Sequence, residues 1–254
     1  MVSCRRSTGV VLAVLALSAP IAARADYHIR SPNEIDEGEL ELEHNGAASF
    51  DRNAANSNAQ SYTAEIGYGV NSWWHPEIEL GFERAPGPGQ STNADAVVWE
   101  NTFSLTDPGE YWADLGFYAE YGFSTVGHAS DSILFGPLFE KDVGHTTQTL
   151  NILFGKNIGP NQDNHGYDLS YAWQSRYNLW RSFSPAVEVY GDAGQIDRIG
   201  KFQDQQFLVG PVAVGGFLLG PLGQFKYEAG YLFGATRASA NGTIRWKFEL
   251  EIPI

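Results

Sequence analysis

The stretch IRWKFELEIPI, residues 244–254, alternates between apolar and charged side chains with a period of two. Its even-numbered positions are all apolar, whereas positions 245, 247, 249 and 251 carry Arg, Lys, Glu and Glu. Successive side chains of a β-strand point to opposite faces, so the stretch predicts a strand with one apolar and one charged face. One such strand fits a soluble sandwich as well as a membrane barrel.

Similar alternation recurs along the chain in about twelve segments. They are residues 37–46, 60–70, 77–85, 95–105, 111–123, 132–141, 147–156, 166–177, 186–192, 204–217, 224–234 and 243–254. Most are about nine to thirteen residues long, the length of a tilted strand that crosses a bilayer, whereas strands of soluble proteins cluster near five or six. The number and length of the segments favour the membrane barrel over a soluble periplasmic β-protein.

The connections between these segments alternate along the chain between short turns and longer polar loops. Those around 71–76, 106–110, 142–146, 178–185 and 218–223 are mostly short. The others, at 47–59, 86–94, 124–131, 157–165, 193–203 and 235–242, are on average longer and rich in small polar residues and glycine. Short turns on one side and longer loops on the other are typical of outer-membrane barrels. We therefore predict an all-β fold, a transmembrane antiparallel up-and-down β-barrel of about twelve strands with both termini on the short-turn side.

Aromatic residues flank the predicted short turns, among them Trp73, Trp74, Tyr111, Trp112 and Trp180. Aromatic rings with a polar edge prefer the headgroup level of a membrane, and barrels carry a girdle of them at each boundary. This placement again favours a barrel over a sandwich, whose aromatics would show no preference for strand ends.

The first 25 residues predict an export signal. Arg5 and Arg6 precede a short apolar run at residues 9–17, and Ala23-Arg24-Ala25 supplies a small-x-small cleavage site. The predicted organisation is a signal peptide at 1–25, an N-terminal periplasmic or lumenal segment at 26–36 and an outer-membrane barrel at 37–254. The predicted location is the outer membrane of a Gram-negative bacterium, with outer-membrane lipid, lipopolysaccharide and the barrel assembly machinery as partners.

Composition excludes several classes of function. The chain of 254 residues carries a net charge of −14, which becomes −17 without residues 1–25 because three arginines and no acidic residue lie there. Such a charge argues against nucleic-acid binding, which needs a basic surface. The single cysteine, Cys4, lies in the predicted signal, so neither a disulfide framework nor a thiolate metal site is expected.

If the apolar positions face lipid, the polar positions line the lumen, and acids outnumber bases there. The predicted inward acids are Glu39, Glu41, Glu43, Glu65, Glu77, Glu79, Glu83, Glu100, Asp114, Glu120, Glu140, Asp168, Glu188, Glu228, Glu249 and Glu251. The predicted inward bases are Arg176, Lys226, Arg245 and Lys247. Crowded like charges need water or cations, which predicts a lumen that selects cations or neutral polar solutes. The alternative is a set of structural salt bridges in a plugged barrel.

Closure of the barrel would set the last strand beside the first. Antiparallel pairing is then expected to bring Arg245 and Lys247 toward Glu41 and Glu43, a charge-complementary seam that helps to specify closure.

No motif for catalysis or for a cofactor stands out. The six histidines show no His-x-x-x-His or comparable ligand spacing, so neither a metal site nor a cofactor is predicted. His128 with Asp131, and the run Asp163-Asn164-His165, lie in adjacent predicted outer loops and resemble a catalytic cluster. We interpret them as solvated loop residues and predict that the protein is not an enzyme.

Two features resemble a known family. Ser31-Pro32 precedes the acidic strand EGELELE at 37–43, and short turns followed by acidic strands recur, as in WHPEIE at 74–79 and FSPAVE at 183–188. The sequence resembles uncharacterised proteobacterial outer-membrane β-barrel proteins of the putative phenol meta-pathway transporter family. That resemblance implies a transport-like role and no catalytic residues. The chain departs from many outer-membrane proteins in ending on Pro253 and Ile254 rather than on an aromatic residue.

The leading hypothesis is therefore a passive channel or transporter for small solutes. The alternatives are a non-conducting structural or adhesive barrel that acts through its outer loops, and an outer-membrane hydrolase.

Overall fold

The chain folds into a closed β-barrel in a computed structural model, which describes residues 27–34, 37–160, 162 and 166–254. Across these ranges, twelve antiparallel strands follow one another around the barrel in chain order, and the last strand pairs with the first. The strands are β1 Glu39–Phe50, β2 Ala59–Tyr68, β3 Trp74–Arg84, β4 Asn93–Ser104, β5 Asp114–Ser124, β6 Asp131–Val143, β7 Thr146–Ile158, β8 Asp168–Tyr177, β9 Ser184–Gln195, β10 Gln206–Leu218, β11 Gln224–Gly234 and β12 Gly242–Pro253. The predicted fold class and strand number are confirmed.

The two ends of the barrel differ. One end, here called the turn end, carries the connections 69–73, 105–113, 144–145, 178–183 and 219–223 and the start of β1. The opposite end, the loop end, carries 51–58, 85–92, 125–130, 196–205, 235–241 and the connection from β7 to β8. Short 3₁₀ helices occur at Ile196–Arg198, Phe202–Asp204 and Gly220–Leu222. None of the helices in the described ranges has the length and apolar character needed to cross a membrane.

The strands bury one face and expose the other. In β1 and β2, Glu41, Glu43 and Glu65 are buried, while their apolar neighbours Leu42 and Ile66 are exposed on the outer surface. The outer surface continues in this way around the barrel, through exposed side chains that include Ile78, Leu80, Trp99, Phe117, Phe123, Val187, Phe217, Tyr231, Phe233, Ile244 and Phe248. A contiguous apolar exterior with polar groups inside is the reverse of a soluble protein.

Aromatic side chains collect at the turn end. Trp112 is 80% exposed and Trp180 is 65% exposed, and both lie in turns rather than in strands. Trp73 stacks against Trp74 and Phe103, with ring centroids 6.3 Å apart in each pair. The exposed rings therefore form a rim at one end of the apolar exterior.

Residues 27–34, here called the N-terminal segment, lie inside the barrel. Ile29 is only 5% exposed and packs in a cluster of buried side chains that point inward from four strands. That cluster comprises Ala172, Ala186, Tyr190, Leu208, Val212, Val214 and Leu232. Pro32 lies so close to Gly116 of β5 that an added Cβ there would be 2.7 Å from the Pro32 Cβ. The glycine thus makes room for the segment.

Candidate functional site

Arg30 anchors the middle of the N-terminal segment to the barrel wall. Its backbone N–H donates to Asn151 Oδ1 (2.9 Å), and Asn151 Nδ2 donates back to the Arg30 carbonyl (2.7 Å). The guanidinium lies over the Tyr118 ring, 4.0 Å from its centroid, and donates to the Tyr118 hydroxyl (3.0 Å) and to Glu100 Oε2 (3.4 Å). Arg30, Glu100 and Tyr118 are all buried, so this ion pair is shielded from solvent.

Tyr118 links this anchor to a second carboxylate. Its hydroxyl lies within hydrogen-bond distance of Glu100 and is 2.6 Å from Glu120 Oε2. Because a hydroxyl has one proton to donate, only one of the two carboxylates is served by it at a time. The Arg30 guanidinium thus contacts Glu100 and Tyr118, and Glu120 joins this group through the Tyr118 hydroxyl.

Further contacts hold the N-terminal segment on either side of Arg30. The Tyr190 hydroxyl donates to the Tyr27 carbonyl (3.1 Å), and the two rings meet edge to face at 5.4 Å. Toward the turn end, Asn33 Nδ2 donates to Asp114 Oδ2 (2.8 Å) and Glu140 Oε1 (3.1 Å). Nearby, Ser104 Oγ donates to the Pro32 carbonyl (2.5 Å). The segment therefore runs along the barrel interior toward the turn end, where β1 begins.

Lys247 joins the segment to the acidic wall. Its Nζ is 2.6 Å from Glu43 Oε2, 3.1 Å from Glu249 Oε2 and 3.0 Å from His28 Nε2. Burial, with the nearby Lys247 charge, holds the pKa of His28 well below its usual 6.5. A neutral His28 therefore accepts a hydrogen bond from the Lys247 ammonium.

Glu34 lies at the turn-end side of the same cluster, 4.0 Å from Lys247 Nζ. Burial raises the pKa of Glu34 to about 7, and the Glu249 and Glu43 carboxylates add to the rise while Lys247 opposes it. The ionisation of Glu34 near neutral pH is thus coupled to the position of the segment.

Two cavities lie on either side of the N-terminal segment. The loop-side cavity, about 450 Å³, is bordered by Tyr27, His28 and Arg30. Its wall carries acids (Glu79, Glu83, Asp95, Glu120, Asp168 and Asp192), one base (Lys156), several neutral polar side chains, and apolar side chains that include Val98, Leu134, Leu153, Leu208 and Trp246. The turn-side cavity, about 510 Å³, is bordered by Ser31, Asn33 and Glu34, and its wall includes Arg176, Arg181, Lys226, Glu228, Lys247 and Glu249. The segment stands between the two spaces.

The carboxylates that the sequence places on inward positions form two rows across adjacent strands. In one row each residue lies opposite the next on the neighbouring strand, in the order Glu251, Glu41, Gly67, Glu77, Glu100 and Glu120. The second row has the order Glu249, Glu43, Glu65 and Glu79. Glu41, Glu43, Glu65, Glu79, Glu100 and Glu249 are buried. The other predicted inward residues lie elsewhere. Asp114 and Glu140 accept hydrogen bonds from Asn33, and Glu39 begins β1 at the turn end. Asp168 borders the loop-side cavity, whereas Arg176 and Lys226 border the turn-side cavity.

The predicted seam between the first and last strands is correct for Lys247 and wrong for Arg245. β12 pairs with β1, and Lys247 contacts Glu43, as expected. Glu41, however, lies opposite Glu251, and Arg245 lies opposite Ala47, nearer the loop end. This register takes Arg245 away from Glu41, and its guanidinium instead binds Glu188 (Nε to Oε2, 2.8 Å) and Glu228.

The outer-loop residues that resemble a catalytic cluster have different surroundings. Asp131 accepts hydrogen bonds from the Tyr121 hydroxyl (2.8 Å) and the Ser124 backbone N–H (3.1 Å), which fix the start of β6. His128 occupies the adjoining loop with a positive φ of 74°. The run at 163–165 lies outside the described residues.

The sequence allowed a lumenal position for residues 26–36, but it predicted neither the contacts of the N-terminal segment nor a role for His75. Arg30 and Asn33 stand in a short polar stretch without periodicity, so nothing in it indicates which strands they meet. His75 did leave a signal. The run His75-Pro76-Glu77 at the start of a predicted acidic strand places an imidazole and a carboxylate on one face by alternation.

Together, these features define a closed twelve-stranded β-barrel with an apolar exterior and an N-terminal segment docked in its interior. No protein-family model matches the chain, and no curated protein matches it. Among solved structures it is similar to a bacterial polysaccharide outer membrane secretin, with 7% identity and a TM-score of 0.40 over 86% of this chain and 99% of that one. A second similar chain, with 10% identity and a TM-score of 0.44 over 84% of this chain and 83% of that one, comes from work on in-meso crystallization of membrane proteins.

Proposed function

We propose that the protein is an outer-membrane barrel that passes small cationic or neutral polar solutes, and that its N-terminal segment closes the lumen at rest. The main support is the loop-side cavity, which Arg30 of the segment borders and whose wall carries six acids and one lysine, Lys156. This proposal keeps the transport role that the sequence predicts and adds a closed state to it.

The outer surface supports a membrane location. Apolar side chains such as Leu42, Ile66 and Leu80 are exposed on consecutive strands, and exposed tryptophans rim the turn end. A continuous apolar exterior on a soluble protein would cause aggregation, whereas in a bilayer it faces lipid tails. Because a closed barrel leaves no unpaired strand edge, its backbone is also compatible with hydrocarbon.

The interior charge supports the choice of solute. Among the described residues, the two rows of carboxylates contact the cations Lys226 and Lys247 of the wall and Arg30 of the segment. A positively charged solute in the loop-side cavity would approach Glu120, which Tyr118 links to Glu100, and would compete with Arg30 for this group. Such competition favours release of the segment, whereas an anion would be repelled.

The non-conducting alternative has one observation in its favour. Contacts from Tyr27 to Asn33 hold the N-terminal segment along much of its length, and Arg30 is buried within them. A barrel that never releases the segment would be a structural or adhesive protein acting through its loops. The two functions differ in whether solutes cross.

Proteoliposome uptake distinguishes them. The protein is reconstituted, and entry of a small organic cation, a neutral sugar and a small organic anion of similar size is measured. The proposal predicts that the cation enters fastest, the anion slowest, and that Glu79→Gln with Glu120→Gln reduces this preference. A variant with the outward Tyr231→Phe change serves as a matched control. Faster entry of the anion, or no entry of any solute even when residues 27–33 are deleted, would contradict the proposal.

A further inference from the structure

We propose that Glu41, His75 and Glu77 form a binding site for a divalent transition metal, of which Zn²⁺ is the representative. The site lies in the turn-end half of the barrel, on the inner face of β1 and β3. It does not depend on whether the barrel conducts.

The register brings the three residues together. Glu41 of β1 lies opposite Gly67 of β2, which lies opposite Glu77 of β3, so the two carboxylates flank a position without a side chain. His75 is two residues before Glu77 and therefore on the same face of the strand. One ligand atom from each residue lies within 4.8 Å of the others, and Glu41 Oε2 is 3.7 Å from His75 Nε2.

Gly67 keeps a space open at this point. A Cβ on residue 67 would overlap His75 Nε2 and would lie 2.7 Å from Glu77 Cγ. Both ligands therefore reach into room that any other residue at position 67 would fill. The φ of Gly67 is not in the left-handed region, so the missing side chain rather than backbone freedom is what this position uses.

The imidazole supplies the second, independent observation. His75 is 5% exposed, and its Nε2 is buried with no hydrogen-bond partner. Buried polar atoms are nearly always paired, because an unmet donor or acceptor costs its full desolvation energy. The Nε2 atom points to Glu41 at a distance too long for a hydrogen bond and suited to two ligands of one ion.

The donor set selects the class of metal. One imidazole nitrogen and two carboxylate oxygens suit Zn²⁺, whose bonds of about 2.0–2.2 Å place neighbouring ligand atoms about 3.3 Å apart. Ca²⁺ and Mg²⁺ prefer oxygen ligands alone. The dense acidic wall adds favourable charge. Other acidic groups nearby, such as Glu65 with Glu79 and Glu100, contain no imidazole, and we assign no metal to them.

Titration calorimetry with ZnCl₂ tests the site. The protein is purified in detergent without a polyhistidine tag, stripped with a chelator and titrated. We expect one zinc ion per chain at this site, and His75→Gln should weaken its binding by at least about 100-fold, because even partners outside the ligand shell contribute about 10- to 100-fold. His44→Gln, a histidine on the outer face of β1, should leave zinc binding unchanged.

Two further variants guard against misfolding. Glu77→Gln removes another ligand, and Gly67→Ala removes none but fills the space; both should weaken zinc binding while heat-modifiable gel migration shows a folded barrel. Unchanged zinc affinity in folded His75→Gln or in folded Gly67→Ala would overturn the proposal, as would the absence of zinc binding by the stripped parent protein. Since no solute flux is measured, these outcomes are separate from those of the proposed function.

Discussion

Asn151 on β7 and Arg30 in the N-terminal segment exchange two hydrogen bonds, of 2.9 and 2.7 Å, in the interior of the barrel. The amide side chain thereby takes the place of a neighbouring strand, since it satisfies both the N–H and the carbonyl of one residue. Asn151 has an exposed fraction of 0%, so water does not replace these bonds while the segment is docked. The docked segment therefore depends on side chains of the wall rather than on a sheet.

Asn151→Ala should release the segment more often. It removes two buried hydrogen bonds, a loss of about 1–3 kcal/mol that raises the undocked fraction about 5- to 150-fold. Trypsin cuts after Arg30 only when the segment leaves the barrel, so the rate of this cleavage, followed by mass spectrometry, measures that fraction. Asn157→Ala, on an inward position of the same strand near the loop end, should cleave like the parent. Equal rates for the parent and Asn151→Ala would show that this pair does not hold the segment.

Arg30→Gln should open the lumen to cations. The substitution removes the guanidinium that contacts Glu100 and Tyr118, and water or cations then solvate Glu100 and Glu120, which Tyr118 links. We expect a larger conductance with cation selectivity in planar bilayers. Arg30→Lys, which keeps the charge but not the planar fork, should lie between the parent and Arg30→Gln. Anion selectivity in Arg30→Gln would refute the link between these acids and the solute.

Arg245→Met should destabilise the barrel rather than open it. Arg245 is 1% exposed and is bound by Glu188 and Glu228, so its loss leaves buried charge without a partner, at a cost of about 3–5 kcal/mol. Denaturant unfolding in lipid vesicles, followed by tryptophan fluorescence, measures this loss. The control is Arg237→Met, whose exposed ion pair with Asp204 should contribute about 1 kcal/mol or less. Similar losses in the two variants would contradict the assignment.

Docking of the segment should weaken as pH rises. The pKa of Glu34 is about 7 when the segment is docked and near 4.5 when Glu34 is free in solution. Docking is therefore strongest below about pH 4.5, weakens as the pH rises, and reaches its weakest level above about pH 7. Lys247 and Lys226 oppose this rise in pKa, and Glu249 and Glu43 add to it. We expect bilayer conductance to increase between pH 5 and about 7.5.

The variant Glu34→Gln carries no ionisable group at position 34, so its conductance should no longer depend on pH in this range. Glu110→Gln, in an exposed turn of the same end, should keep it. Conductance that falls with rising pH in the parent protein, or that retains its pH dependence in Glu34→Gln, would show that another group controls docking.

Much of the fold follows from the sequence because each strand separates two environments. The alternation in 244–254 separates an apolar face from a charged one, and the recurrence of alternating segments of this length along the chain favours a barrel. Chain-order pairing then closes the barrel through β12 and β1. The partners of Arg245 escaped prediction because they depend on the stagger between strands, which single-strand patterns do not contain.

The interior contacts of the N-terminal segment depend on closure itself. Arg30 meets Asn151 and Tyr118, which are 121 and 88 residues away in the chain. No local pattern connects residues so distant, and residues 27–34 have neither helical nor strand periodicity. For His75 and Glu77, by contrast, the spacing in the sequence already places both side chains on one face of a strand. Only the approach of the third ligand, Glu41, depends on the register between strands.

If the N-terminal segment closes the lumen, its removal must change the single-channel conductance of the barrel. The parent protein and a variant without residues 27–33 are compared in planar bilayers at the same pH and salt, after heat-modifiable migration has shown that both are folded. We predict rare, small openings in the parent and a stable, cation-selective conductance in the deletion variant. Equal conductance in the two proteins would contradict closure by the segment.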